Sequence, residues 1–287
     1  MGRDGPDNPG EDKPARFDPT VAHQARIYDY WLGGKDNFAA DREAGDKALA
    51  EYPDLVRAVR ANRAFLVRAV RYLAEAGIRQ FLDVGTGIPT ASNTHEVAQS
   101  AAPDCRVVYV DNDPIVLLHA RALLVSNRDG ACAYVDADFR DPDKILAGAA
   151  KLIDFRQPVA LMLLGILQLI PDKDDPWGVV KTLLAAMAPG SYLAVTHPTP
   201  DIDPRSVKAA AVLDTMSAEK RTLRHRPDVA KFFDGLDMVP PGLVQVSKWR
   251  PESPIQAAAP ASRWAGVGRK PGTSVSRTAT ARRSPSS

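Results

Sequence analysis

Short apolar stretches alternate with helical ones from residue 80 onward, and acids followed by proline mark the joints. Asp113-Pro114, Asp141-Pro142 and Asp175-Pro176 each set an N-cap carboxylate before a proline at the first helical position. There the fixed φ of proline is preorganised and its missing N–H costs no bond. Strands are expected at 80–84, 106–110, 131–135, 159–164 and 192–196, with further candidates at 243–246 and 264–267, seven in all. A helix is expected over 54–76: Leu55, Val59, Leu66, Val70 and Leu73 recur at helical spacing, Arg57, Arg60, Arg68 and Arg71 fall opposite, and Gly77 is the stop. Asn93 and Glu96 form a capping box for a helix through Ala101, another runs from Asp113 to about Val125, and 204–233 reads as helix in two pieces. Strands separated by helices make βαβ units. The expected fold is therefore α/β, a doubly wound, mostly parallel seven-stranded sheet with an N-terminal helical cap.

In such sheets ligands bind beyond the carboxyl ends of the strands, so chemistry is sought there. Strand 1 runs through Asp83 into Gly85-Thr86-Gly87-Ile88-Pro89-Thr90. Two glycines let backbone turn tightly and approach a ligand, or simply join strand to helix. Thr90 and Pro89 stand where a dinucleotide loop carries its third glycine, which argues against a pyrophosphate cradle. Strand 2 ends in Asp111-Asn112-Asp113; Asp113 suits a helix cap, and Asp111 is placed to accept the hydroxyls of a ribose. After strand 3, Asp138-Phe139 pairs an acid that can take an adenine amino group with an aromatic face.

Composition narrows the classes. Five of the 37 bases lie in residues 269–287, which hold no acid, so the body between the tails is close to neutral and lacks the basic footprint of a duplex-binding domain. Two cysteines make no disulfide framework, no histidine pair has metal spacing, and no apolar run reaches membrane length. The expectation is a cytoplasmic protein with no nucleic-acid, membrane or metal partner. Residues 1–18 and 271–287 are polar, Pro- or Ser-rich tails unable to bury an apolar face. The domain reading is thus a tail (1–18), a helical cap (19–77), a catalytic domain (78–270) and a basic tail (271–287).

At this point the chain resembles the class I S-adenosylmethionine-dependent methyltransferases, whose cofactor loop reads like Asp83-Val84-Gly85-Thr86-Gly87. The strings Ala25-Arg26-Ile27-Tyr28-Asp29-Tyr30-Trp31-Leu32-Gly33-Gly34-Lys35-Asp36-Asn37-Phe38, Asn62-Arg63-Ala64-Phe65-Leu66 and Val108 to Pro114 are similar to an actinobacterial branch first known as a domain of unknown function. The resemblance spans about residues 19–270. It implies S-adenosyl-L-methionine as cofactor, held by Asp83, Gly85, Thr86, Gly87, Asp111, Asn112, Asp138 and Phe139, with no established acceptor. Gln168 departs from the branch, which implies a histidine there.

Other residues carry two readings each. Asn62 lies on the apolar side of the first long helix, as a satisfied core group or a ligand contact. Arg63 beside it could pair with the methionine carboxylate of the cofactor. Tyr28 to Phe38 reads either as a flap hinged at Gly33-Gly34, with no periodic core face, or as an anchor packed behind the sheet. Tyr28, Gln168 and His197, which ends strand 5, are the catalytic candidates. His23, His119 and His225 give no signal. No Asn/Asp-Pro-Pro-aromatic string or Pro-Cys nucleophile is present, which disfavours DNA methylation. The expected activity is methyl transfer to a small molecule, the alternatives being a catalytically inactive cofactor-binding protein and a nucleotide-dependent oxidoreductase.

Overall fold

A computed structural model describes residues 18–90, 92–116, 118 and 130–272. The helix expected from Asp113 is seen at residues 114–116 and 118; residues 117 and 119–125 of it lie outside the described residues, as do 1–17 and 273–287 of the two tails.

Eight strands form one sheet: β1 (Gln80–Val84), β2 (Arg106–Asp111), β3 (Ala131–Asp136), β4 (Ala160–Leu164), β5 (Tyr192–Pro198), β6 (Asp237–Met238), β7 (Val244–Gln245) and β8 (Arg263–Arg269). Their order is β3-β2-β1-β4-β5-β8-β6, with β7 also paired to β8. The first five are parallel, and β8 runs antiparallel to β5, β6 and β7. The strand order reverses at β1, between β2 and β4, so a crevice opens beyond their carboxyl ends. The sequence misses β6, whose two exposed residues carry no alternation to read. It also truncates β8, which begins at a charged residue, Arg263.

Helices cover both faces, and the pleat sorts the side chains between them. Phe81, Val107, Tyr109, Met162 and Ala194 face α3 (Leu55–Glu75) and α4 (Thr94–Ala101). Leu82, Val108, Leu161, Leu163 and Val195 face α5 (Pro142–Ala149) and α6 (Pro176–Ala185). Strands buried on both sides read as continuous apolar runs, which is why they were legible. Gly77 stops α3 as expected: at φ 97° its N–H reaches Ala74 O at 3.1 Å and Ile78 N–H reaches Leu73 O at 3.0 Å. Asn93 N–H donates to the Glu96 carboxylate at 2.8 Å, completing the box before α4. α3 belongs to the layer on the sheet, so residues on both sides of position 77 share one core.

The cap is α1 (Gln24–Leu32), α2 (Ala39–Glu51) and the start of α3, joined by α7 (Arg205–Met216). The aromatic string expected to lack a periodic face begins inside α1, which holds its Tyr28, Tyr30 and Trp31 and ends at Leu32. Ile27 and Trp31, four apart, are buried against Ala44, Ala48, Val59 and Leu213. Its periodicity is masked because charged residues are buried beside them and satisfied. Arg26 Nε pairs with Asp41 at 2.9 Å, and Asp29 accepts from Asp36 N–H and Asn37 Nδ2, each at 2.9 Å. Gly33-Gly34 form the turn that closes α1. Gly33 ends α1 at φ 85°, and a Cβ on Gly34 would sit 1.8 Å from the Asp29 carboxylate. The segment packs on α2, α3 and α7, in a cluster that contains no strand residue.

Candidate active site

One cavity of about 770 Å³ lies beyond the ends of β1, β2, β3 and β4, roofed by residues 21–28. It brings together Tyr28, Asn62, Arg63, Asp83, Gly85, Thr86, Gly87, Asp111, Asn112, Asp138 and Phe139. His197 and Gln168 are not on its wall.

Asp83, at the penultimate position of β1, is buried and accepts from the Thr94 hydroxyl at 2.6 Å. Burial pushes its carboxyl up to about 6, against the pull of that hydroxyl and of Arg63. A cationic ligand group beside it would favour the ionised form. Binding of such a ligand is therefore expected to release a proton near pH 6 and to weaken as pH falls below 6, because Asp83 must then lose its proton first. Calorimetry in buffers of different ionisation heat reads that release.

The loop after β1 turns through two left-handed glycines, Gly85 at φ 76° and Gly87 at φ 67°. A Cβ on Gly85 would strike Ile166 at 2.6 Å, whereas one on Gly87 would meet nothing within 4 Å. Gly85 is thus needed for close packing on the segment after β4, and Gly87 presents bare backbone to open space. α4 starts only at Thr94, so this loop does not lead straight into a helix N-terminus as a dinucleotide cradle does.

Asp111 has a structural job that the sequence did not reveal. Its two carboxylate oxygens accept from Gly87 N–H at 2.8 Å and Asp113 N–H at 3.0 Å, tying the tip of β2 to the loop. An ionised carboxylate has lone pairs left for hydroxyls. Asn112 Nδ2 donates to Asp138 at 3.1 Å, and Arg140 Nη1 spans both Asp138 oxygens at 3.2 and 3.1 Å. Phe139 is buried among Val110, Ala137 and Ile145 while still lining the cavity. Arg63 Nη2 donates to Ser92 O at 3.0 Å. Tyr28 OH accepts from Asn62 Nδ2 at 3.0 Å and donates to Val59 O at 3.4 Å, docking α1 onto α3.

Two catalytic candidates are displaced. His197 is completely buried; its Nδ1 donates to Pro198 O at 2.7 Å and its Nε2 accepts from Arg224 Nη1 at 3.1 Å. Burial, with Arg224 and Arg263 adding to it, holds its pKa down at about 3, so it stays neutral and is spent on positioning Arg224. Arg224 in turn grips Leu167 O at 2.8 Å and Ile170 O at 2.7 Å, fixing the segment after β4. Gln168 is buried in that segment, its Nε2 donating to Gly165 O at 2.6 Å. A strand-end position alone could not distinguish a side chain aimed at the cavity from one aimed into this scaffold.

His23 was missed, having no motif around it. It bridges Asp113, through Nδ1 at 2.7 Å, and Glu219, through Nε2 at 2.7 Å, latching the roof to β2 and to the chain after α7. Burial works against its charge, yet the two carboxylates win and raise its pKa to about 10. The latch therefore contributes fully below the unfolded value near 6.5 and is lost as pH rises through 10. His23→Ala is expected to cost about 2 kcal/mol at pH 6, from hydrogen bonds to charged groups. Melts of the two proteins should converge above pH 10.

Among the described residues no helix is long and apolar enough to cross a membrane, and no group of three or more His, Cys, Asp or Glu could hold a metal. Cys105 and Cys132 are both free thiols.

A parallel sheet reversing at β1, closed by an antiparallel strand beside β5 and carrying its cavity over the β1–β4 ends, defines a Rossmann-like class I S-adenosylmethionine-dependent methyltransferase. Residues 10–271 match the model of the S-adenosyl methyltransferase family, and the chain belongs to that family, whose cofactor is S-adenosyl-L-methionine. It is similar to a DUF574 family protein from the actinobacterium Streptomyces avermitilis, at 46% identity and TM-score 0.86 over 89% of this chain and 100% of the other. It is also similar to a protein from the actinobacterium Thermobifida fusca provisionally designated a methyltransferase, at 42% identity and TM-score 0.82 over 88% and 96%. An O-methyltransferase family protein from Burkholderia thailandensis shares the fold at 14% identity and TM-score 0.52 over 76% of this chain and 60% of the other. No curated protein matches the chain.

Proposed function

We propose that the cavity seats S-adenosylmethionine across the ends of β1, β2 and β3, and that the methyl acceptor is a small molecule entering over the end of β4. The observation that carries this reading is the convergence in one cavity of a buried carboxylate, a bare-backbone glycine turn, an acid at the tip of β2 and an acid–aromatic pair after β3. Their chemistry fits the cofactor part by part. Asp83 faces its ammonium, with Arg63 in reach of its carboxylate. Gly85, Thr86 and Gly87 lie along its methionine chain. Asp111 and Asn112 take the ribose hydroxyls, and Asp138 and Phe139 flank the adenine.

When bound, S-adenosylmethionine supplies a methyl group on a sulfonium that leaves as a neutral sulfide. The chain's own residues orient the acceptor and keep water out. Residues 21–28 form the roof, held down by the His23 latch and by Tyr28 on Asn62 and Val59. With His197 spent on Arg224, the acceleration rests on positioning and dehydration rather than on a histidine base. The free thiols of Cys105 and Cys132 suit a reducing, cytoplasmic setting.

Incubating the protein with methyl-labelled S-adenosylmethionine and cell extract tests the acceptor class. Label is expected in the dialysable fraction. Label confined to protein or nucleic acid would overturn the small-molecule reading.

A further inference from the structure

Among the described residues, one donor reaches the Asp83 carboxylate: the Thr94 hydroxyl binds its Oδ2 at 2.6 Å. Thr94 is 1% exposed and Asp83 5%, so bulk water does not compete for that bond. Oδ1 accepts from no described residue, and Asp83 lines the cavity. A carboxylate has two oxygens to satisfy, and here the scaffold serves one of them. Thr94 has no competing task. It opens α4, where Asn93 is the N-cap and accepts from Thr90 N–H at 3.0 Å while Glu96 closes the box. A threonine hydroxyl commonly turns to the backbone of its own helix; this one crosses to β1 instead.

The other groups that act on Asp83 come from each neighbouring element. Arg63 of α3 favours its ionised form, and Asp111 of β2 opposes it. Tyr109 of β2 and Tyr134 of β3 also face it, but burial holds both phenols far above their ordinary value and therefore neutral. His95, next to Thr94 on α4, spends Nδ1 on the Tyr109 hydroxyl at 2.7 Å, and burial favours its neutral form. Beside Asp83 on β4 stands Met162, which carries no charge. The Thr94 hydroxyl is thus the short, fixed contact that supports the carboxylate before a ligand arrives.

We propose that Thr94 is a positioning residue of the cofactor site: its hydroxyl fixes Oδ2 of Asp83 and supports its negative charge, so that Oδ1 is presented to the ammonium of S-adenosylmethionine. This rests on the placement of Asp83 at that ammonium proposed above. The test is calorimetry with S-adenosylhomocysteine, which carries the same ammonium, from pH 5 to pH 8 on the wild type, Thr94→Val and Thr94→Ser. Wild-type affinity is expected to fall below about pH 6, where Asp83 takes up its proton. Thr94→Val removes a bond made to the ionised form, so the break should move up by about one pH unit. Its affinity should then be about eightfold below the wild type at pH 5.5 and within about twofold of it at pH 8. Thr94→Ser keeps the hydroxyl and should keep the wild-type profile.

An unmoved break in Thr94→Val would overturn this role and assign the break to another carboxylate such as Asp111. An equal loss at every pH would overturn it too, leaving Thr94 a packing residue alone. So would a Thr94→Ser profile that follows Thr94→Val. A wild-type affinity that does not fall between pH 8 and pH 5 would instead sink the placement of Asp83 at the ammonium, and this inference with it. If Thr94→Val does not fold, Thr94→Ala makes the same comparison.

Discussion

Gly85→Val is expected to abolish S-adenosylhomocysteine binding and to lower the melting temperature markedly. At φ 76° a β-branched residue is strained, and its Cβ would lie 2.6–2.8 Å from three atoms of Ile166. Left-handed strain costs roughly 1–3 kcal/mol and overpacking a similar amount, so the loop must shift. It cannot shift freely, because Gly85 N–H is bound to Val110 O at 2.8 Å and Asp111 holds Gly87 N–H. Gly87→Ala supplies the contrast: its added methyl meets nothing in the protein, so its melting temperature should fall less while binding still weakens. Calorimetry beside thermal melts separates the two effects. Wild-type affinity in Gly85→Val would place the cofactor elsewhere.

Asp111→Ala is expected to weaken S-adenosylhomocysteine binding by at least about a hundredfold. Two ribose hydroxyls on one carboxylate are two charge-assisted bonds of about 1.5–3 kcal/mol each. The substitution also frees Gly87 N–H and Asp113 N–H, so the melting temperature should fall with the affinity. Asp111→Asn keeps one acceptor oxygen and should fall between the two. Burial raises the Asp111 carboxyl above its ordinary value, so the ionised form is already strained before ligand arrives. Unchanged affinity in Asp111→Ala, together with a lowered melting temperature, would make Asp111 a structural tie alone.

Much of the fold was legible because its signals are local. Asp-Pro openings, the Gly77 stop and runs buried on both faces each depend on neighbours in sequence. The cavity wall was legible in part for a related reason: in an open parallel sheet the crevice lies beyond the strand ends, so residues there can be singled out before any distant contact is known. What escaped was set by distant partners. Ile27 and Trp31 hide among Arg26 and Asp29, which are buried only because Asp41 and the 34–37 turn satisfy them. His23 acquires its charge from Asp113 and Glu219, ninety or more residues away. His197 sits at a strand end like Asp83 and Asp111, yet Arg224 and Pro198 claim both its nitrogens.

Amide hydrogen exchange with and without S-adenosylhomocysteine tests the central placement most directly. Exchange is predicted to slow at residues 85–87, 111–112 and 138–139, and across 21–28 as the roof tightens over the ligand. Binding with unchanged exchange at both 85–87 and 111–112 would contradict it.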